Sequence, residues 1–158
     1  MAATAAIGLL VSNTSTALIM IPIALAVIEA AGIPEGETEG FAGAVIMGTA
    51  FGATISGFGT LVATPTNAIA AGLIERTLGV HISFLDWLMF GLPVVILSVP
   101  IVTFVLARVQ RLKDHPFDAA AAASALGEAT TWSRAERRVV PVALLVVAAW
   151  IAQPLLAP

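Results

Sequence analysis

From Phe41 to Ile74 the chain runs for 34 residues without one charged side chain, and no other feature limits its possible folds as strongly. As a continuous α-helix this stretch would be about 51 Å long, whereas about 30 Å crosses the hydrocarbon core of a membrane. Something must break it. Its middle reads Gly57-Phe58-Gly59-Thr60-Leu61-Val62-Ala63-Thr64-Pro65-Thr66-Asn67, with two glycines and a proline to interrupt a helix. Lipid offers no partner to an unpaired peptide group, so irregular backbone at this depth survives only where it is buried in protein or lines a cavity. The pattern predicts one broken transmembrane helix over residues 41–78.

The first apolar block, Ala2 to Ile28, is interrupted in the same way by Ser12, Asn13, Thr14, Ser15 and Thr16. Short polar side chains compete for backbone hydrogen bonds and favour helix caps over helix interiors. Two half-helices are expected to meet there. Met1 to Val11 would rise about 16 Å, enough to reach the bilayer midplane but not to leave on the far side. This predicts a re-entrant helical hairpin over residues 1–31. Thr14 or Ser15 is the expected cap of a helix running from Ala17, and Thr64, Thr66 or Asn67 of one running from Ala68.

Between these blocks Glu29 to Gly40, with Glu29, Glu35, Glu37 and Glu39, reads as a solvated connection. Residues 86–107 give a clean span with Trp87 as interfacial anchor, and residues 139–158 a last one, entered through the capping-box pattern Ser133-x-x-Glu136. Six of the seven basic residues fall between Arg108 and Arg138. The positive-inside bias therefore places residues 108–138 in the cytoplasm, in contact with anionic lipid, and the protein in a plasma (inner) membrane. The expected fold is an all-α membrane protein: a re-entrant hairpin, one broken transmembrane helix and two further transmembrane helices. The first charged residue is Glu29, so the apolar start is expected to be structure and not a secretory leader.

Composition excludes several functions. With 59% hydrophobic and 11% charged residues, against about 25% charged in soluble domains, this is a membrane composition. A net charge of −3 leaves no basic stripe for nucleic acid. The absence of cysteine removes disulfides and thiol chemistry. Neither break has a carboxylate pair or a histidine nearby for acid–base catalysis, so no enzyme is expected. His81 reads as a loop histidine and Asp86 as an interfacial residue, and neither is given a role.

What the breaks offer is a helix N-terminus near the midplane, where free N–H groups and the positive end of the helix dipole favour an anion. Ser12, Asn13 and Thr14 add hydroxyl and amide groups. The carbonyls left unpaired near Val11 and between Gly57 and Ala63 suit Na+ or a proton carrier, as in transporters built from broken helices.

In Ser12-Asn13-Thr14-Ser15-Thr16-Ala17 with Pro22, in Gly59-Thr60-Leu61-Val62-Ala63-Thr64-Pro65-Thr66-Asn67-Ala68, and in Phe84-Leu85-Asp86-Trp87-Leu88-Met89-Phe90-Gly91-Leu92-Pro93, the chain resembles the divalent anion/sodium symporters. The resemblance continues through Ser133-Arg134-Ala135-Glu136 and covers nearly the whole chain. It implies half of an inverted-repeat elevator transporter that works as a homodimer on C4-dicarboxylate, citrate or sulfate. It also implies substrate at Ser12, Asn13, Thr14, Thr64 and Pro65, and Na+ among Ser12, Asn13, Gly59, Thr60, Ala63 and Asn67. The chain departs from the family pattern at Gly8, where a cation-binding serine is common, and at Ala63, where glycine is usual. The second Ser-Asn-Thr signature and the early scaffold spans are not in this sequence. Two rivals remain: a sodium-independent anion exchanger of the same superfamily, and a membrane interaction piece that transports nothing.

Overall fold

The computed structural model describes residues 1–34, 36–112 and 134–156, and among these all regular structure is helical. Six helices follow in order: α1 (Ala2–Gly8), α2 (Asn13–Ala30), α3 (Gly40–Ser56), α4 (Pro65–Leu78), α5 (Phe84–Val109) and α6 (Arg134–Leu156). Of the described residues, α2 and α5 are long and apolar enough to cross a membrane, while α3 is a shorter apolar helix. At about 10 Å, α1 is far too short to cross.

Several helix ends differ from the sequence reading. α1 stops at Gly8, three residues before Val11, and the chain turns through Leu9 to Val11. The cap of α2 is Ser12, not Thr14 or Ser15: its backbone is extended (φ −58°, ψ 150°) and its side chain accepts from the Ser15 N–H. α2 therefore starts at Asn13, four residues before Ala17. α4 starts at Pro65, three residues before Ala68, because Thr64 caps it and proline at the first helical position has no N–H to leave unpaired. α4 ends at Leu78, the end of the expected 41–78 segment, with Gly79 after it in the left-handed conformation that glycine tolerates (φ 68°). α5 begins at Phe84, ahead of the expected span, because Ser83 and Asp86 form a capping box. Asp86 thereby gains a structural role, its Oδ2 accepting from the Ser83 hydroxyl at 2.6 Å and the Ser83 N–H at 3.0 Å. His81 Nδ1 lies 3.0 Å from Glu75 Oε1 at the exposed end of α4. The proposed cap at Ser133, with most of the 108–138 connection, lies outside the described residues.

α3 is the centre of the packing, touching α1, α2 and α5. Its buried face is built from Gly40, Ala42, Gly43, Gly48, Gly52 and Ala53, residues small enough for helices to approach closely without a hydrophobic driving force. A Cβ at Gly52 would meet Thr4 and the Met1 carbonyl at 3.1 and 2.9 Å, and a Cβ at Gly8 would collide with Ser56. The matched pairs Thr4–Gly52 and Gly8–Ser56, one turn apart on each helix, show that α1 and α3 run in the same direction. α5 runs the other way along α3: Gln110, just past its end, reaches Met47 and Gly43, while Val95 meets Gly59 beyond the opposite end. The small apolar core lies where α1, α3 and α5 cross, with Ala5, Ile55 and Val95 buried and Leu9, Val99 and Val102 around them. α6 meets α5 where the Trp150 ring packs on Phe84 at 5.4 Å, the late part of one helix beside the start of the other.

Elsewhere large side chains face outward, Leu18 of α2 at 69% and Phe90 of α5 at 80% exposure. Several hydroxyls inside the helices are satisfied locally, whereas Thr4 Oγ1, buried in α1, has no hydrogen-bond partner. Thr49, Thr54 and Thr103 each donate to the carbonyl one turn back, at 2.9, 3.0 and 2.7 Å.

Candidate functional site

Each break is first a problem of unpaired backbone. Past Gly8 the chain overwinds, with Leu10 and Val11 N–H groups both donating to Ile7 O at 3.1 Å. This frees the Leu9 carbonyl. Past Ser56 three tightened turns follow, Gly57 N to Thr54 O, Phe58 N to Ile55 O and Gly59 N to Ser56 O. The connection to Pro65 then has no continuous ladder, only Ala63 N to Thr60 O at 3.3 Å, and its carbonyls also draw on side chains.

They find three. Asn67, buried in the first turn of α4, donates both amide hydrogens into the connection, to Gly57 O at 2.7 Å and Thr60 O at 2.8 Å. Trp87 of α5 donates its indole N–H to Phe58 O at 3.1 Å. Thr60 turns its own hydroxyl onto the other break, donating to Leu9 O at 2.8 Å across 51 residues of sequence.

The breaks also touch where side chains of the first meet bare glycine backbone of the second. Asn13 lies so close to Gly57 that a Cβ there would come within 2.6 Å of its Nδ2 and 2.9 Å of its Oδ1. A Cβ at Gly59 would collide with Leu9. Around Gly8 two hydroxyls converge, those of Ser56 and Thr16, both side chains fully buried. Asn13 Oδ1 is itself buried and has no hydrogen-bond partner. A buried carbonyl oxygen left without a donor costs free energy unless a ligand supplies the missing interaction.

The structure thus brings together Asn13, Gly59, Thr60 and Asn67. Ala63 is buried in the same connection. Ser12 and Thr14 sit at the exposed start of α2, where Asn13 and Thr14 occupy the first two helical positions and their N–H groups have no intrahelical partner. Ser12 spends its hydroxyl on Ser15, at 2.9 Å to Oγ. Thr64 and Pro65 are at the foot of α4, where Thr64 accepts from Asn67 N at 3.4 Å. The sequence reading missed Ser56, Thr16 and Gly91, and took Trp87 only as an anchor. Among the described residues no three His, Cys, Asp or Glu side chains come together, so the oxygens at the breaks are neutral amide, hydroxyl and carbonyl groups. Such donors fit a hard cation of low charge better than a transition metal.

The profile of the citrate transporter family matches residues 1–158, the full length of the sequence. The chain belongs to that family. This citrate transporter family member is also similar to curated transporters. It is 39% identical over 102 residues to a sodium-dependent dicarboxylate transporter of Staphylococcus saprophyticus, covering 61% of this chain and 20% of that protein. Against the sodium-dependent dicarboxylate transporter of Staphylococcus aureus it is 38% identical over 102 residues, with the same coverage. Against an uncharacterized transporter of Haemophilus influenzae it is 34% identical over 112 residues, 71% of this chain and 23% of that protein. The chain spans about a fifth of the length of these relatives. No solved structure matches it. The family and the resemblance read from the Ser12 and Gly59 segments agree: the chain belongs to the citrate transporter family and is similar to sodium-dependent dicarboxylate transporters.

Proposed function

We propose that this segment supplies one half of the transport site of a secondary active carrier for small divalent anions, C4-dicarboxylate, citrate or sulfate, driven by Na+. What carries this function is the contact between the two helix breaks, with Asn13 laid on Gly57, its Oδ1 buried and unpartnered, and Thr60 bonded to Leu9. Na+ is held by neutral oxygens near this contact, drawn from Ser12, Asn13, Gly59, Thr60, Ala63 and Asn67. The anion lies at Ser12, Asn13 and Thr14, against the free N–H groups and positive end of α2, with Thr64 and Pro65 facing it from α4. A cation beside the anion offsets its charge, so each ligand strengthens binding of the other and their movements become linked. The names of the staphylococcal relatives support both the anion class and the ion. To the same proposal belong the re-entrant hairpin of residues 1–31, the cytoplasmic side for residues 108–138, the plasma (inner) membrane and an elevator motion in a homodimer.

The test is uptake of labelled succinate, citrate and sulfate by a complete transporter carrying this segment, reconstituted in vesicles. At least one anion is expected to accumulate, and replacing Na+ by K+ is expected to stop it. Uptake indifferent to Na+ but stimulated by anion inside the vesicle would instead favour an exchanger. No uptake of any of the three removes the proposal.

Thr64→Ala is expected to raise the Na+ concentration for half-maximal uptake. The change removes the cap that fixes Asn67, and through it the Gly57 and Thr60 carbonyls. A lost cap costs about 1 kcal/mol, equivalent to about a fivefold shift. Uptake against Na+ measures it, and an unmoved curve takes Thr64 out of the site.

A further inference from the structure

Of the three side chains that fasten the 57–64 connection, only the Trp87 indole comes from outside both breaks. Three residues of α5 at successive turns face the same short turn of chain. Trp87, half-buried, donates to Phe58 O. At Gly91 a Cβ would collide with that same Phe58 oxygen and lie 2.8 Å from Gly59 O, so bare backbone is what admits the two carbonyls. At Val95, 4% exposed, the side chain sits 3.1 Å from where a Gly59 Cβ would be, and the same point is closed by Leu9 of the first break. Phe58 and Gly59 are therefore wedged between α5 and the residue whose carbonyl Thr60 grips.

We propose that the Trp87–Gly91–Val95 stripe of α5 is a seat for the Phe58–Gly59 turn, and that Trp87 is a positioning residue that sets Na+ affinity while touching neither ion nor anion. This rests on the proposed cation site at the two breaks. The tightened turns hold the N–H groups of Phe58 and Gly59, but without a continuous ladder the carbonyls of the connection depend on other donors for their orientation. A carbonyl that must be oriented at the moment of binding weakens binding by the cost of ordering it. Asn67 holds the carbonyls of Gly57 and Thr60, and the plane between Phe58 and Gly59 is held at its N–H by Ser56 O at 2.9 Å and at its carbonyl by the indole. The indole is a donor only, so no other aromatic reproduces the bond from the same place. An interfacial anchor would instead use the ring's amphipathic body, and its loss would show as poor insertion or orientation.

The experiment replaces Trp87 in a complete transporter carrying this segment, once by phenylalanine and once by benzothienylalanine, which keeps the two-ring shape and lacks the N–H. Na+ binding is measured without anion, from the protection of residues 57–63 in hydrogen exchange, and Na+-dependent uptake is measured alongside. Both variants are expected to raise the half-saturating Na+ concentration roughly three- to tenfold, the range for one lost hydrogen bond. Maximal uptake and the amount of inserted protein are expected to stay near wild type. A wild-type Na+ midpoint in the benzothienylalanine variant overturns the seat, as does a fall in maximal uptake with no change in midpoint. Wild-type protein that shows no Na+ response by either measurement overturns the cation site itself, and the seat with it.

Discussion

Gly8→Ala in a complete transporter is expected to lower thermal stability and transport together, and Ser56→Gly added to it is expected to restore stability. A Cβ at position 8 would collide with Ser56 Oγ and lie 2.7 Å from Ser56 Cβ. Rotating the hydroxyl relieves the first contact but not the second, since a Cβ is fixed to its backbone. α1 must then move off α3. Overpacking of this kind costs about 1–3 kcal/mol. The movement also falls one residue from Leu9, whose carbonyl is the acceptor of the Thr60 bond that joins the two breaks. Ser56→Gly alone leaves a small void and a glycine in a helix, worth about 1 kcal/mol. In the double variant the new methyl occupies the vacated space, so the coupling energy is large and favourable, on the order of 0.5–3 kcal/mol. Melting curves of the two single variants and the pair, in detergent, check this. Simple additivity would mean that Gly8 and Ser56 are not in contact. The pair Gly8→Ser with Ser56→Gly returns a hydroxyl to nearly the same place from the opposite helix. Its transport, set against that of Gly8→Ala with Ser56→Gly, isolates what the hydroxyl contributes beyond packing.

The two interruptions are legible because their causes are local. Serine, threonine and asparagine at 12–16, and glycine with proline at 57–65, each disturb a helix through their own backbone or side chain. The position of the cap is less legible, since Ser12, Thr14 and Ser15 are comparable caps and the choice falls to whichever residue has the extended backbone, here Ser12. Least legible is what joins the breaks. Gly8 reads only as a departure from the family pattern, yet Ser56 occupies the space a side chain there would need. Trp87 reads as an anchor because tryptophan at a span end is commonplace, and the acceptor of its N–H lies 29 residues away. Asn67 reads as a helix starter or an ion ligand. Its amide hydrogens are committed to two carbonyls of the connection, and only its oxygen is left to approach a cation. Local chemistry fixes where the chain breaks, and contacts across 29 to 51 residues fix what the breaks face.

Asn13 is where the proposed cation and anion sites meet, and two substitutions there are expected to separate them. Asn13→Ala removes a buried side-chain oxygen at the breaks that has no partner, together with the amide beside Gly57. Apolar surface is hardly altered, so insertion and folding should survive while uptake falls. Hydrogen bonds to charged groups contribute about 1.5–3 kcal/mol, which predicts a loss of roughly ten- to 150-fold in uptake at limiting substrate. Asn13→Asp keeps an oxygen in the same place and adds a negative charge. Na+ binding should then persist or tighten, whereas a divalent anion a few ångström away meets a like charge. The expected pattern is weak Na+ and weak anion binding in the alanine variant, against retained Na+ binding with lost uptake in the aspartate variant. Na+ binding without anion, and uptake at saturating Na+, measure the two separately. Near-wild-type uptake by Asn13→Ala would take Asn13 out of both sites. Uptake by Asn13→Asp equal to wild type would place the anion elsewhere, away from the first turn of α2.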